Sequence, residues 1–305
     1  MYSVTISNFD LEQIALSGQC FRMNRIQQTP ISDSTLSADF SDSMPDDTIC
    51  YSVISTTHYL EISQKGNLFT FDCPKEDLTF WYHYFDLETD YGAFLSSIDP
   101  KDTYLMEAGK AGNGIRILRQ DLWEMILTFI LSQQKTIPKI KEGVELLSQK
   151  YGTKMQTQTG TIYYTFPTPD QLISATQQEL LDLKFGYRAK YIERIAKDAR
   201  TGLLDLTSLC SMPYSDAFSY LMQFYGIGEK VANCICLFGL HHIDAFPVDT
   251  WIQKILLREY WDSKYSSLPK SRLFSQIIQD SFGRYKGYAG VMQQYIFFFE
   301  RLYKS

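Results

Sequence analysis

Two residues in the C-terminal half are of types that do chemistry, a lysine and a carboxylate, each at the expected start of a helix. Lys230 follows Gly226-Ile227-Gly228-Glu229 in SDAFSYLMQFYGIGEKVANCICLFG (215–239), and Asp249 comes 19 residues later in DAFPVDTWIQKIL. A lysine in a first helical turn is poorly placed for the helix dipole, which favours anions there. The positive end of that dipole and partial burial both favour the neutral amine. A neutral amine attacks an electrophilic carbon and forms a Schiff base. Taken singly, each residue has a plainer role: Lys230 as an exposed lysine reaching a phosphate, Asp249 as a helix N-cap. At facing helix N-termini, the pair would bracket one sugar.

The elements around them are expected to be helical. Ser215 is placed to cap a helix whose apolar side is Phe218, Leu221, Met222 and Tyr225. Gly226-Ile227-Gly228 then makes a tight hairpin, and a second helix starts near Glu229. Such a helix-hairpin-helix offers backbone N–H groups at a helix N-terminus, a phosphate site that reads no bases. The same glycines would serve a plain helical hairpin as C-caps. From residue 115 onward the apolar period is helical almost throughout, with Asp121 as N-cap of DLWEMILTFILSQQ. Further helices are expected over 136–151, 170–183, 188–201, 215–225, 229–239, 250–260, 270–281 and 288–303. TKMQTQTGT between them reads as a loop. Earlier, YLEISQKGNLFTF (59–71) alternates around Lys65-Gly66-Asn67 as a hairpin, with strands over 20–26 and 48–56. FWYHYFDLE and YGAFLSSI read as helices, the second capped by Asp90. The fold class is α+β: an N-terminal antiparallel β-rich domain (1–114) and a helical body (115–305).

The chain has 305 residues, 45% hydrophobic, 15% aromatic and 21% charged, which excludes disordered and fibrous classes. It lacks an apolar run of the roughly 20 residues that a spanning helix needs. The first basic residue is Arg22, so no secretory or transit peptide is expected. The six cysteines (Cys20, Cys50, Cys73, Cys210, Cys234, Cys236) include no C-x-x-C pair. They read as free thiols of a reducing compartment, and the four histidines show no metal-ligand spacing. The net charge of −6 argues against nucleic acid at first sight. Asp33, Asp39, Asp42, Asp46 and Asp47 account for most of it, however, and residues 184–200 carry six cations against two anions. Such a stretch either grips phosphates or is a solvated helix face.

With these motifs in place, the chain resembles the helix-hairpin-helix DNA glycosylases with a Gly/Pro…Asp loop, and most closely the eukaryotic-type 8-oxoguanine DNA glycosylase/AP lyases. GIGEKVANCICLFGL followed by PVDTW carries the signature. SGQCFRM (17–23), IRILRQDLWEMILTFILSQQ (115–134), FGYRAKYI (185–192) and YAGVMQQYIFF (288–298) match further segments of that family in order. The resemblance implies a bifunctional enzyme that excises 8-oxoguanine from duplex DNA through a Lys230 Schiff base and breaks the strand by β-elimination. Asp249 would stabilise the cationic sugar and orient the amine. Gly18 would offer its carbonyl to the N7 hydrogen that distinguishes 8-oxoguanine from guanine. Gln293 would read the pairing edge, Phe297 and Cys234 would sandwich the base, and Tyr187 would wedge into the vacated stack. Gly226 and Gly228 would face a phosphate, with Trp251 at a further DNA contact. The Met222, Phe224 and Ile227 carbonyls would hold a monovalent or divalent cation bridging to a phosphate. The resemblance implies neither a cofactor for the chemistry nor an iron–sulfur cluster, since the four-cysteine cluster of other relatives is absent.

Several positions depart from the family pattern. Gln134 stands where the family has the asparagine that fills the vacated site, and Lys139 stands for a cytosine-reading arginine, without its planar fork. Arg188 remains. A weaker preference for cytosine opposite the lesion is therefore expected. Trp251 replaces the family's histidine. Two other readings stay open: a related glycosylase for another damaged purine or an alkylated base, and a non-catalytic helix-hairpin-helix module that only holds DNA. Residue by residue, Phe297 and Tyr187 also suit core aromatics, Cys234 a small buried hydrophobe and Gln293 a solvated helix position. The expected partner is double-stranded DNA, met by a monomer inside the cell and away from membranes.

Overall fold

The computed structural model describes residues 1–26 and 47–304. Most of the acidic run, expected as an exposed loop, falls on 27–46 and lies outside the described residues. The chain opens with β1 (Tyr2–Thr5), α1 (Leu11–Leu16), β2 (Met23–Arg25), β3 (Ile49–Ser55), β4 (His58–Lys65) and β5 (Leu68–Asp72). The strands form an antiparallel sheet ordered β1-β5-β4-β3-β2. Burial alternates along β3 and β4, so Tyr51, Val53, Leu60 and Ile62 share the covered face with Phe69 and Phe71. Leu11 and Ile14 of α1 pack there, as do Trp81, Tyr84 and Phe85 from the region of α2 (Leu78–Tyr84).

A larger helical core follows. It is built by α3 (Tyr91–Ser96), α4 (Thr103–Ala111), α5 (Leu122–Ser132) and α6 (Ile137–Tyr151), then, after the short hairpin β6 (Lys154–Gln156) and β7 (Ile162–Tyr164), by α7 (Pro169–Leu172), α8 (Gln177–Asp182), α9 (Arg188–Arg200) and α10 (Leu206–Ser211). The chain ends with α11 (Tyr214–Leu221), α12 (Glu229–Phe238), α13 (Thr250–Glu259), α14 (Lys270–Phe282) and α15 (Ala289–Phe299). α5 is mostly apolar and buried along its whole length, as expected of a central helix that touches α6, α9, α10 and α12. Asp121 caps it as expected, accepting from Glu124 N at 2.8 Å.

The sheet unit is locked to the helical body by polar groups. Arg116 donates to the carbonyls of Asn8 (3.0 Å), Asp86 (2.8 Å) and Thr89 (3.0 Å). Burial pushes the Asp86 carboxyl up, but His241 and Arg119 outweigh it and hold the group well below the usual carboxylate range. Across the same junction Arg22 lies 3.9 Å from Glu124, and burial pushes the Glu124 carboxyl up to about 7 despite that arginine.

The structure departs from the sequence expectations in short pieces. β1, α1, α4 and α10 lie outside the elements read from the sequence. The Thr/Gln-rich run 153–161 holds β6, with β7 directly after it, and their register Met155↔Tyr163 places Tyr163 where it donates to Thr57 O at 2.8 Å. Ser215 does not cap α11: the helix starts one residue earlier behind Pro213, and Ser215 Oγ bonds its neighbour Asp216 at 3.1 Å. α15 ends at Phe299, and residues 300–304 form a wider turn.

Candidate active site

Lys230 near the start of α12 and Asp249 at the start of α13 both act on the Cys234 thiol, so the two helix N-termini share a neighbourhood. Gly228 occupies the N-cap of α12 and supplies no side-chain cap, so the first N–H groups of that helix face outward unsatisfied by it. A Cβ at Gly228 would meet nothing within 4 Å, which leaves the backbone open to a close approach. Gly226 is constrained differently. Its φ of +92° is a left-handed conformation, and a Cβ there would lie 2.6 Å from Cγ of Tyr191. The hairpin is thus pressed directly onto α9. Gln133, at the end of α5, donates from Nε2 to Gly226 O at 3.0 Å and fixes the turn from a second side.

Lys230 is half-buried in the first turn of α12, its Nζ 5.4 Å from the ring centroid of Phe129. Phe129 stacks on Phe238 at 5.4 Å and meets Phe21 edge-on at 6.1 Å. The amine therefore sits on an aromatic wall that reaches back to the SGQCFRM segment. Asp249 caps α13: its Oδ1 accepts from Trp251 N at 3.0 Å and Ile252 N at 2.9 Å. One carboxylate oxygen is thus spent on the helix. Cys234, one turn beyond Lys230, is buried. Burial pushes its thiol up, while Lys230 lowers it and Asp249 raises it. Amine, thiol and carboxylate therefore share one small neighbourhood.

Gly18 lies in a loop whose position is set by Gln19. The Gln19 amide donates to Ser17 Oγ (2.9 Å) and Arg116 O (2.8 Å) and accepts from Leu118 N at 2.9 Å, so its polar atoms are all engaged in the buried interior. Gly18 has φ +80°, and a Cβ there would press on Arg301 Nη1 at 3.1 Å and Phe297 Cε1 at 3.3 Å. Gly18 and Phe297 are thereby brought together. Gly18→Ala is expected to cost about 1–2 kcal/mol of stability, read as a lower urea midpoint; an unchanged midpoint would show that the loop yields. Gln293, one turn before Phe297, is buried and accepts from Gln294 Nε2 at 2.9 Å, which sets aside a solvated position. Glu300 holds the end of α15 to the end of α13 through a two-pronged pair with Arg258 at 2.7 Å and 2.7 Å, and accepts from Tyr104 at 2.9 Å.

The remaining candidates lie along α9 and the end of α5. Tyr187 is 41% exposed, more than a core aromatic would be, and packs edge-on against Tyr191 at 5.7 Å. Arg188 is buried beneath Tyr187, its Cζ 4.4 Å from that ring, and it donates to Gln133 O. Gln134 is exposed and adopts φ +52°. Lys139 is exposed and ion-paired with Glu142 at 2.5 Å. Along α9, Arg194, Lys197 and Arg200 pair with Asp198, Glu193 and Asp170 at 3.0, 3.0 and 2.5 Å. The basic stretch is therefore largely self-paired toward its C-terminal end, and its unpaired charge gathers near Lys190, which lies 5.5 Å from the rings of both Tyr191 and Tyr225. Trp251 is 39% exposed beside Asp249, with Lys254 Nζ 5.7 Å from its ring. In the hairpin, Phe224 O accepts the Ile227 N–H at 3.1 Å, while Met222 lies toward solvent. Sequence reasoning missed Phe129, Phe21, Gln19, Gln133 and Tyr191. Each sits in or beside a quoted motif, yet acts only through a contact distant in sequence. Among the described residues no group of three His, Cys, Asp or Glu side chains could hold a metal.

Two family models match the chain. Residues 1–126 match the family described as 8-oxoguanine DNA glycosylase, N-terminal domain, and residues 127–278 match the HhH-GPD superfamily of base excision DNA repair proteins. The N-glycosylase/DNA lyase of Saccharomyces cerevisiae is 33% identical over 74% of this chain and 68% of its own length. The probable N-glycosylase/DNA lyase of Methanothermobacter thermautotrophicus is 28% identical over 61% of this chain and 65% of its own. The crystal structure of the Clostridium acetobutylicum 8-oxoguanine glycosylase/lyase, in complex with double-stranded DNA containing cytosine opposite the lesion, superposes with TM-score 0.84 at 31% identity over 98% of this chain and 94% of that one.

Proposed function

This chain belongs to the 8-oxoguanine DNA glycosylase/lyase family, and from that premise we propose that Lys230 and Asp249 carry out base excision and strand cleavage at 8-oxoguanine in duplex DNA. The observation that carries the assignment is that Lys230, in the first turn of an α12 without a side-chain cap, and Asp249, the N-cap of α13, both act on the buried Cys234 thiol. The amine of Lys230 attacks the anomeric carbon through its nitrogen lone pair as the bond to the damaged base breaks and the base leaves with that bond's electrons. Loss of the amine proton and opening of the sugar give an iminium. The free edge of the Asp249 carboxylate stabilises the positive charge that develops on the sugar. Abstraction of the adjacent proton then expels the 3′ phosphate by β-elimination, and hydrolysis frees Lys230.

The base enters beside Gly18, whose carbonyl accepts the N7 hydrogen, and lies between Phe297 and Cys234 with Gln293 at its pairing edge. Tyr187 fills the gap in the stack, and Trp251 contacts the backbone near Asp249. Gly226 and Gly228 present the open amides to a phosphate. Met222, Phe224 and Ile227 carbonyls are the set for a cation bridging to DNA; the Phe224 oxygen keeps one lone pair for it beside its hydrogen bond. The chemistry itself draws on protein groups alone. The protein works as a monomer in the compartment that holds the DNA. In this reading the sheet-bearing N-terminal part of the chain delivers Gly18 and the helical body, which α3 and α4 join, delivers the nucleophile.

Borohydride trapping tests the reading. A covalent complex is expected with a duplex carrying 8-oxoguanine opposite cytosine and not with undamaged guanine. A complex with an abasic site alone would keep the lyase chemistry and remove 8-oxoguanine as substrate.

The side chains facing the opposite base support loose selectivity. Lys139 is engaged by Glu142, and Gln134 holds a left-handed conformation that asparagine adopts more readily. Single-turnover excision opposite cytosine and opposite adenine is expected to agree within about tenfold, with Gln134→Asn widening the gap in favour of cytosine. A preference for cytosine of about a hundredfold in the unsubstituted protein would refute this.

A further inference from the structure

The wall beside Gly18 carries a cation that belongs to none of the recognised motifs. Arg301 stands one turn beyond Phe297, in the wide turn that follows α15. Its guanidinium carbon lies 5.3 Å from the Phe297 ring centroid, within cation–π range. Its Nη2 donates to the carbonyl of Leu16, which ends α1 just before the Gly18 loop. Its Nη1 is the nearest atom to a Cβ built on Gly18, at 3.1 Å, ahead of Phe297 Cε1 at 3.3 Å. A planar donor fork is thus held against the two residues that frame the candidate base pocket. Arginine keeps its charge in such a place, and its rigid fork loses little freedom on bonding.

We infer that Arg301 is a specificity-determining residue of this pocket, donating from its guanidinium to the carbonyl oxygen of a damaged base whose neighbouring N–H is accepted by Gly18. The inference rests on the assignment of that pocket to 8-oxoguanine. An oxidised purine of this kind presents an N–H and a C=O side by side, as a cyclic urea does. An acceptor at Gly18 and a donor at Arg301 match that edge in order. Guanine has a bare acceptor at N7 and a C–H at the neighbouring carbon, so it meets Gly18 with the wrong polarity and offers Arg301 no oxygen at that carbon. Two groups of opposite kind then discriminate where one alone would, and a buried polar group left unmatched is costly.

Single-turnover rates on two duplexes test this, one carrying 8-oxoguanine and one an abasic site, each opposite cytosine. The unsubstituted protein is compared with Arg301→Met, which keeps an apolar stem on Phe297, and with Arg301→Lys, which keeps a charged donor. The expected result is a fall of about tenfold or more in the ratio of excision to abasic cleavage for Arg301→Met, partly restored by Arg301→Lys. An unchanged ratio, including an equal loss of both activities, would overturn the inference, because abasic cleavage needs no base to be read. Faster excision by Arg301→Met would overturn it too, by showing that the guanidinium fills space the base requires. If the unsubstituted protein cleaves the abasic duplex and leaves 8-oxoguanine untouched, the substrate assignment itself fails and the inference falls with it.

Discussion

Replacing Lys230 by glutamine is expected to lower excision of 8-oxoguanine by about 10³-fold or more and to abolish borohydride trapping, with binding to the lesion duplex kept within a few-fold. Glutamine preserves a polar side chain of similar reach in the first turn of α12 but offers no nucleophile. What else it removes is small. The amine lies 5.4 Å from the Phe129 ring centroid, and a half-buried contact of that kind is worth about 0.5–1 kcal/mol. A 10³-fold loss corresponds to about 4 kcal/mol of barrier, so fold stability and rate separate cleanly. Thermal unfolding close to that of the parent, together with absent trapping, would place Lys230 in the chemistry. Undiminished strand cleavage would remove it.

The second large effect concerns Asp249 and comes with an internal control. Its Oδ1 caps α13 through Trp251 N and Ile252 N. Asparagine caps a helix about as well as aspartate, whereas alanine loses about 1 kcal/mol of stability at such a position. Asp249→Asn is therefore expected to leave the melting temperature within about 2 °C while lowering single-turnover excision by about 10²–10³-fold, since only the charge facing the sugar is gone. Asp249→Ala is expected to lose both. If Asp249→Asn excises at nearly the parental rate, the carboxylate is a cap and nothing more.

What the sequence disclosed depended on how local the responsible physics was. The glycines of the hairpin, the capping aspartates Asp90 and Asp121 and the β4–β5 turn act on neighbours within a few residues, so their pattern is written in consecutive positions. The nearness of Lys230 to Asp249 also follows from short-range order, one helix and one extended loop apart. Phe129 under Lys230, Gln19 behind Gly18 and Gln133 against Gly226 are different. Each is an ordinary residue on its own element and gains a role only from a contact roughly 90–100 residues away in the chain. Ser215 shows the opposite failure: a strong local capping signal gave way to Pro213, which takes the N-cap two residues sooner. The α9 charges sum to the excess that the sequence shows, but the sum could not reveal that Asp170, outside the stretch, neutralises Arg200.

The contact of Gly226 with Tyr191, braced by Gln133, leaves no slack between the hairpin and the helix that bears Tyr187. Two grips joined without slack behave as the jaws of a fixed gauge. Were a duplex seated on both, as the proposed function requires, the spacing would be the protein's and the work of fitting would fall on the DNA.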